Sequence, residues 1–294
     1  MTSPETTAIA VFTEQRPRLF GLAYRLLGSA SEAEDMVQEA FLRWSQAGPV
    51  EVPAAWLTKV VTNLCLNQLA SARRRRESYV GPWLPEPVLT SDGSLGPLET
   101  VELRESVSLG ILILLERLSP LERAVFVLRE AFGHSHAEIG ESLDVAEEHS
   151  RQLHRRAVAH LGRERKRFDI DHAQHRRIVE RFLAATLNGD VAELEAMLAD
   201  DVVAWADGGG ATAARRPVLG HDRVLRYVLG FSARPEAAGV RSEIAEINGQ
   251  PAALFLLGRE LRAVVAVEIS DGRVSTVRTM VSPVKLAFAA AQLM

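Results

Sequence analysis

The chain has 294 residues and a net charge of −4. Hydrophobic residues make up 47% and charged residues 24%, a balance typical of a soluble globular protein with two or three domains. The single cysteine, Cys65, excludes an internal disulfide and a cysteine-cluster zinc site. No apolar run is long enough to span a bilayer, and Met1–Ala10 lacks the basic start and apolar core of a signal peptide. We therefore expect the protein to act in the cytoplasm.

The first block of the chain is predicted to be helical from about residue 9 to residue 77. The spacing of its apolar residues predicts helices near 11–28, 31–47 and 53–76. Ser31 followed by Glu34 predicts a capping box at the start of the second helix, and Gly48-Pro49 predicts its end. Cys65 lies among apolar neighbours on the third helix, which favours a buried, unreactive thiol over a redox sensor.

The second and third helices carry opposite charges on their polar faces. In AEDMVQEAFLRW, helical spacing puts the apolar side chains on one face and Asp35, Gln38 and Glu39 on the other. Either face alone is typical of a solvated surface. An acidic helix directly followed by a basic one instead favours two binding surfaces, the second for nucleic acid. The polar side of the third helix carries Lys59, Asn63, Asn67, Gln68, Arg73, Arg74, Arg75 and Arg76.

A segment rich in proline and glycine follows at residues 78–98. Its composition predicts an extended, partly stiff linker. Trp83 and Leu84 are unusual there, because a solvated linker gains nothing from large apolar side chains. We therefore expect these two residues to dock against a folded part of the chain.

A second helical block covers about residues 99–167 and contains a helix-turn-helix pattern at 118–161. The pattern is a helix, a short helix, a tight turn at Leu143–Val145 and a basic helix. In the last helix Arg151, Gln152, Arg155 and Arg156 share one side, while Val158 and Leu161 are expected on the packed side. Arginine and glutamine side chains form hydrogen bonds with base edges and phosphates, so the segment predicts DNA binding in the major groove.

Together these motifs resemble the extracytoplasmic-function sigma factors of bacterial RNA polymerase, over about residues 12–161. The resemblance implies that Asp35, Gln38 and Glu39 face the clamp helices of the polymerase β′ subunit. It implies that the third helix meets the −10 element through Lys59, Asn63, Asn67, Arg73, Arg74, Arg75 and Arg76. It also implies that the helix-turn-helix reads the −35 element through His149, Arg151, Gln152, Arg155 and Arg156. The linker would lie in the RNA path, where Glu86, Asp92 and Glu99 could mimic phosphates.

From residue 172 the pattern changes to that of an α+β domain. Two helices at 175–187 and 191–199 lead into an apolar strand at 202–206, and a further helix starts near His221. Three or four strands follow, within 241–247, 252–257, 262–269 and 273–281. Asn248-Gly249 and Asp271-Gly272 predict hairpin turns. We expect an antiparallel sheet with helices on one face.

This last block resembles the SnoaL-like domain that one sigma-factor subgroup carries at its C-terminus, a cone-shaped NTF2-like fold. Ala211 stands where the subgroup has a motif lysine, and Arg215 or Arg216 are candidates to supply that charge. The resemblance implies that the domain regulates in cis by packing on the two helical domains and on the WLPEP linker. The residues that carry it are WLPEP (Trp83, Leu84, Pro85, Glu86 and Pro87), DGGG (Asp207, Gly208, Gly209 and Gly210), and Pro283, Lys285 and Leu286 of a tail similar to NPDKL.

Enzymes with this fold use an acid or a histidine for proton transfer, so Asp207 and His221 are candidate catalytic groups. A glycine-rich turn and a helix cap explain the two residues better, and no convergent catalytic set accompanies them. We therefore expect no catalytic residue and no cofactor. The pairs His134-x-His136 and His172-x-x-His175 lack a cysteine or carboxylate that would complete a metal site, which favours turn and cap roles.

The sequence therefore predicts two all-α sigma domains, the second with a helix-turn-helix, and a C-terminal α+β SnoaL-like domain. The expected partners are core RNA polymerase, through its β′ clamp helices and β flap, and promoter DNA; a separate anti-sigma factor stays open. Two alternatives also stay open: a stand-alone regulator with a ligand-sensing domain, and a SnoaL-like enzyme fused to a DNA-binding module. The predicted bounds are region 2 at 9–77, linker at 78–104, region 4 at 105–168, SnoaL-like domain at 172–282 and tail at 283–294.

Overall fold

The computed structural model describes residues 4–77, 79–91, 93, 95, 101–162, 171–210, 213–232 and 239–294. The chain divides into two compact units. The N-terminal unit comprises Met1–Glu77 and Thr90–Glu164, and the C-terminal unit comprises Ser78–Leu89 and Arg165–Met294. The range predicted as a linker is therefore divided, and its first part belongs to the C-terminal unit.

The described part of the N-terminal unit is helical. The three predicted helices of its first block are present, and the first begins earlier than expected, at Pro4. Cys65 is fully buried in the third helix, and burial raises the pKa of its thiol. The helices are α1 (Pro4–Leu27), α2 (Ala30–Gln46), α3 (Pro53–Glu77), α4 (Val101–Glu105), α5 (Leu109–Leu115), α6 (Pro120–Glu130), α7 (His136–Leu143) and α8 (Glu147–Leu161).

The start of α2 differs from the prediction of a Ser31–Glu34 capping box. Ser29 is the N-cap instead, and its hydroxyl accepts a hydrogen bond from the Glu32 amide at 3.2 Å. Gly28, with φ of 66°, ends α1 in the left-handed conformation, so the next helix begins directly after it. Glu34 is thereby left to pair with Arg16 of α1.

The helix-turn-helix prediction is confirmed in α6, α7 and α8. Capping boxes begin α6 at Ser119 and α7 at Ser135. Asp144 makes the turn in the left-handed conformation, with φ of 55°. A Cβ on Gly140 would lie 2.7 Å from the Val145 carbonyl oxygen, so glycine permits the close approach of the turn to α7.

The packed side of α8 was predicted wrongly at one position. Val158 is 40% exposed, whereas Leu161 is buried as expected. The buried residues of α8 are spaced three and four positions apart, as expected for one helix face. That face includes the small residues Ser150 and Ala157 in place of Val158. The stripe consists of Ser150, Leu153, Ala157 and Leu161.

The C-terminal unit has helices and a six-stranded sheet in the order β2-β1-β6-β5-β4-β3. Asn248-Gly249 and Asp271-Gly272 form the predicted hairpin turns, and all four residues have positive φ. The elements are α9 (His172–Asn188), α10 (Val191–Met197), β1 (Leu198–Asp207), β2 (Val218–Leu219), α11 (His221–Ser232), β3 (Val240–Ile247), β4 (Gln250–Leu257), β5 (Glu260–Ser270), β6 (Arg273–Met280) and α12 (Pro283–Gln292).

The prediction of an antiparallel sheet was wrong for one pair of strands. β1 pairs with β6 in parallel, so the sheet is mixed. Alternation of apolar residues reports which face of a strand is buried but not the direction of its neighbour, and this pair is not joined by a hairpin. The parallel pairing places the end of β1 next to the end of β6, with Asp207 opposite Met280.

The core of the C-terminal unit lies between its first three helices and the sheet. Apolar side chains of α9, α10 and α11 pack there against β1, β5 and β6, including Phe182, Leu194, Val228 and Val277. Within the described ranges, none of the helices of either unit combines the length and apolarity needed to cross a membrane.

Candidate functional site

The acidic face of α2 presents the three residues predicted to contact polymerase. Asp35 and Gln38 are exposed, and Glu39 is half-buried. The Glu39 carboxylate accepts a hydrogen bond from Arg43 Nε at 2.9 Å, one helical turn away. Positions 35, 38 and 39 lie three and four residues apart and therefore share one side of the helix.

The polar side of α3 is partly covered by the helix-turn-helix. Lys59 Nζ donates to the Glu141 carbonyl oxygen at 2.9 Å and lies 3.0 Å from Asp144 Oδ1. Both partners lie at the C-terminal end of α7, where the helix dipole also favours a cation. Asn63 is half-buried and Asn67 is exposed. The side chains of Arg73–Arg76 lie outside the described residues, although their backbone continues α3.

The basic helix α8 presents its predicted DNA contacts on the side away from its buried stripe. Arg151 is half-buried and pairs with Glu147 and, at 3.5 Å, with Glu148. These pairs hold its guanidinium along the first turn of α8. The remaining predicted contacts, His149, Gln152, Arg155 and Arg156, are exposed.

Two buried arginines join the first helical block to the second, and the sequence analysis did not identify them. Arg123 of α6 donates from Nη1 to the Leu26 carbonyl oxygen at 2.8 Å. Arg25 of α1 donates from Nε to Ser106 Oγ at 2.9 Å, and burial lowers its pKa to about 10. Each block thus places one charged side chain in the other, where hydrogen bonds offset part of its desolvation. The sequence does contain a signal for them, since each arginine lies among the apolar residues of a helix.

In the C-terminal unit, the Asp207 carboxylate lies at the end of β1 and is fully buried. Its Oδ1 accepts hydrogen bonds from the Tyr79 hydroxyl at 2.5 Å and the Gly209 amide at 3.2 Å. Its Oδ2 accepts from the Leu84 amide at 2.7 Å and from Lys285 Nζ at 2.5 Å. One carboxylate therefore brings together the WLPEP, DGGG and tail motifs.

The ammonium group of Lys285 is enclosed by the WLPEP segment. It donates to the Leu84 carbonyl oxygen, and it lies 4.7 Å from the ring centroid of Tyr79 and 4.3 Å from that of Trp83. Burial, followed by the bond to Asp207, raises the pKa of Tyr79, so its hydroxyl stays a donor. Lys285 supplies the cation for Asp207. Arg215 and Arg216, the candidates from sequence, are exposed, and Ala211 lies outside the described residues.

Residues 79–89, here called the strap, are held at a second place by the sheet and by α12. Leu89 forms a bridge with Ile247, and the Val88 carbonyl oxygen accepts from the Asn248 amide at 2.9 Å. The Leu89 amide donates to Gln292 Oε1 at 2.9 Å, and Gln292 Nε2 donates back to the Leu89 carbonyl oxygen at 3.0 Å. α12 therefore binds the strap near both of its ends.

The middle of the strap is buried. Leu84 is 2% exposed and Glu86 is 7% exposed, and Pro85 and Pro87 are also buried. The expectation that Glu86 mimics a phosphate therefore does not apply in this conformation, because its carboxylate is covered. Asp92 and Glu99, named with it, lie outside the described residues.

The DGGG motif needs glycine at its third position. Gly209 has φ of 58°, and a Cβ there would lie 2.5 Å from Ser282 Oγ. Ser282 directly precedes α12, and its amide donates to the Asp207 carbonyl oxygen at 3.2 Å. Pro283 occupies the first turn of α12, while Lys285 and Leu286 are buried. Gly208 is buried and Gly210 is exposed with φ of 94°.

The candidate catalytic and metal-binding groups have structural partners. Both carboxylate oxygens of Asp207 accept hydrogen bonds from the strap, Gly209 and Lys285. His221 Nε2 is hydrogen-bonded to the Glu195 carbonyl oxygen at 3.0 Å, and this bond raises the pKa of His221. His175 Nε2 is bonded to the Val267 carbonyl oxygen at 3.0 Å. Among the residues that the structure describes, no cluster of histidine, cysteine and carboxylate side chains could hold a metal ion.

Comparison with known proteins assigns the family. Residues 11–75 match Sigma-70 region 2, and residues 110–161 match Sigma-70 region 4. The chain is 36% identical to the ECF RNA polymerase sigma factor SigJ of Mycobacterium tuberculosis, over 94% of this chain and 92% of that protein. The chain is an extracytoplasmic-function RNA polymerase sigma factor.

One further relative and one crystal structure agree with the assignment. The probable ECF RNA polymerase sigma factor SigI of Mycobacterium tuberculosis is 34% identical to this sigma factor, over 93% of both chains. The crystal structure of Mycobacterium tuberculosis SigJ superposes with a TM-score of 0.77 and 34% identity, and the match covers 95% of this chain and 98% of that chain. The architecture of helical sigma domains followed by an NTF2-like domain is thus confirmed.

The family assignment overturns both alternatives considered from the sequence. Sigma factors initiate transcription as part of the polymerase and perform no covalent chemistry, so the protein is neither a stand-alone regulator nor an enzyme fused to a DNA-binding module. The functional surfaces are therefore binding surfaces.

Replacing Lys285 by methionine is expected to destabilise the C-terminal unit. The variant would leave the buried Asp207 carboxyl group without its cationic partner, a loss of about 3–5 kcal/mol. The double variant Asp207→Asn/Lys285→Met should recover part of that loss. The free energy of opening can be measured from hydrogen exchange of the β5 and β6 amides.

Arg262→Met is the matched control, because Arg262 pairs with Glu260 at 2.8 Å on the surface of the same sheet. It should cost at most about 1 kcal/mol. Equal effects of Lys285→Met and Arg262→Met would contradict a stabilising role for the buried pair.

Proposed function

We propose that this sigma factor reads the −10 element with α3 and the −35 element with α8, while the acidic face of α2 binds the polymerase β′ clamp helices. The observation that carries the proposal is the exposure of Asp35 and Gln38 on α2, and of Gln152 and Arg155 on α8, within the matched sigma regions. A contact of region 4 with the β flap belongs to the same proposal. The site of action would be the cytoplasm, where promoter DNA is transcribed.

Reading both elements requires region 4 to move away from region 2. The two promoter positions differ by about 25 base pairs, or about 85 Å along the DNA. A compact unit of about 150 residues has a radius of gyration of about 15 Å. The N-terminal unit cannot span the promoter in its compact form, so we infer that it opens.

The bonds of Lys59 support the same inference. A lysine that binds a phosphate needs an anionic oxygen, and the Asp144 carboxylate and Glu141 carbonyl occupy that position in the compact unit. The pair is partly exposed, so it contributes little to stability and can exchange for DNA. The turn of the helix-turn-helix thus acts as a substitute for the DNA backbone.

We further propose that the C-terminal domain regulates the factor in cis by binding the strap. The strap lies between regions 2 and 4 in the sequence, in the segment that the family resemblance assigns to the RNA path of the polymerase. Its middle cannot be buried in the C-terminal unit and lie in that path at the same time. Release of the strap from Asp207, Lys285 and Gln292 would then accompany polymerase binding.

Reversing the charge of the α2 face is expected to weaken binding to core polymerase. Asp35→Arg/Glu39→Arg replaces two acidic side chains at the proposed clamp contact by two basic ones, which should lower the affinity for core polymerase at least about tenfold. The affinity can be measured by fluorescence anisotropy with labelled sigma factor at fixed ionic strength.

The control is Glu180→Arg/Asp201→Arg, which makes the same change in net charge on α9 and β1 of the C-terminal unit. Its affinity should match that of the wild type. Unchanged affinity in Asp35→Arg/Glu39→Arg would remove the proposed clamp contact.

Weakening the strap contact is expected to raise promoter-dependent transcription. The double variant Asp207→Asn/Lys285→Met removes both charges of the buried pair, so neither charge is left without its partner and the domain can fold while the strap loses this ion pair. Run-off transcription with core polymerase should increase several-fold at equal sigma concentration.

Glu260→Gln/Arg262→Met removes an exposed ion pair from the same domain and should leave transcription unchanged. If the two double variants gave the same transcription as the wild type, regulation through the strap would be excluded.

A further inference from the structure

The loop between α6 and α7 contacts α1 through arginine side chains. The guanidinium carbons of Arg18 and Arg25 lie 5.6 and 5.4 Å from the ring centroid of Phe132. Two residues further on, Arg18 Nη2 lies 3.3 Å from His134 Nε2. Because α1 belongs to region 2 and the loop to region 4, these contacts join the two promoter-reading regions.

The contact between Arg18 and His134 requires a neutral imidazole. A guanidinium group has only donors, so His134 Nε2 must accept and the ring proton must reside on Nδ1. Protonation of Nε2 would direct an N–H at another N–H. It would also place a second positive charge beside Arg18.

The other charged groups around His134 are mainly cationic. Arg129 of α6 donates from Nη1 to the His134 carbonyl oxygen at 2.9 Å, and Arg25 lies across the Phe132 ring. The nearby acid is Glu138 of α7, whose carboxylate already accepts from the Ser135 amide. A protonated imidazole would therefore enter a positive environment.

The sign of the resulting pH dependence follows from proton linkage. Burial, and then Arg18, lowers the pKa of His134 below its ordinary value, while Glu138 opposes the shift. The docked loop therefore binds fewer protons than the released loop. Docking is fully favourable above the ordinary histidine pKa and weakens as the pH falls below it.

We propose that the α6–α7 loop is an acid-sensitive latch that holds region 4 on region 2 and releases it when His134 is protonated. The latch is a property of the N-terminal unit alone and does not depend on which promoter the factor reads. The bond between Lys59 and Asp144 also joins region 2 to region 4.

Energy transfer between two dyes on the full chain tests the latch. Gln46→Cys on α2 and Ala159→Cys on α8 provide exposed labelling sites, whereas Cys65 is fully buried and stays unlabelled. Between about pH 7.5 and about pH 5.5, transfer should fall as the open fraction rises. One proton can change the opening constant by at most about tenfold per pH unit.

Variants at His134 give the decisive comparison. His134→Gln keeps an acceptor for Arg18 but does not titrate, so its transfer should be the same at both pH values. His134→Lys carries a permanent charge and should show low transfer at both. His160→Gln, which changes an exposed histidine on α8, should respond to pH like the wild type.

Circular dichroism at both pH values checks that each variant is folded. If His134→Lys does not fold, the comparison of His134→Gln with the wild type tests the proposal by itself. Constant transfer in the wild type, or a pH response in His134→Gln equal to that of the wild type, would overturn the proposal. A folded His134→Lys with wild-type transfer at about pH 7.5 would also overturn it.

Discussion

The buried ion pair between Asp207 and Lys285 is the interaction on which the C-terminal unit depends. A carboxylate with no exposed surface is costly unless its lone pairs are satisfied, and four donors surround this one. Two of those donors, Tyr79 and the Leu84 amide, belong to the strap. The charge therefore requires the strap, and the strap takes its position from the charge. This reciprocity makes a segment from the middle of the sequence an integral part of the last domain.

The N-terminal unit is also closed by polar contacts. Arg25 and Arg123 cross between its two helical blocks, and Lys59 and His134 add partly exposed contacts at the edge. Hydrogen-bonded charges contribute little net stability compared with the same area of apolar packing, because the cost of removing them from water offsets much of the gain from their contacts. A contact of this kind suits the proposed separation of the two regions on promoter DNA.

The sequence predicted most of the features that local chemistry controls. Helix spacing, the tight turn before α8 and the two hairpin turns all follow from residues within a few positions of one another. Two local details were predicted wrongly, the N-cap of α2 and the packed side of α8 at Val158. The other differences concern partners far apart in the chain: the parallel pairing of β1 with β6, the two buried arginines, and the pairing of Asp207 with Lys285. Tyr79 and Lys285 lie 128 and 78 positions from Asp207, a separation that leaves no periodic signal. Motif resemblance marked both ends of that contact but could not supply its geometry.

The most direct test of the account is hydrogen exchange at three strap amides. The amides of Leu84, Val88 and Leu89 donate to side chains of Asp207, Asn248 and Gln292 in the C-terminal unit. In the free factor they should exchange slowly. In the complex with core polymerase they should exchange much faster, while the amides of β5 and β6 stay protected. Unchanged protection of the three amides in a complex that initiates transcription would contradict the account.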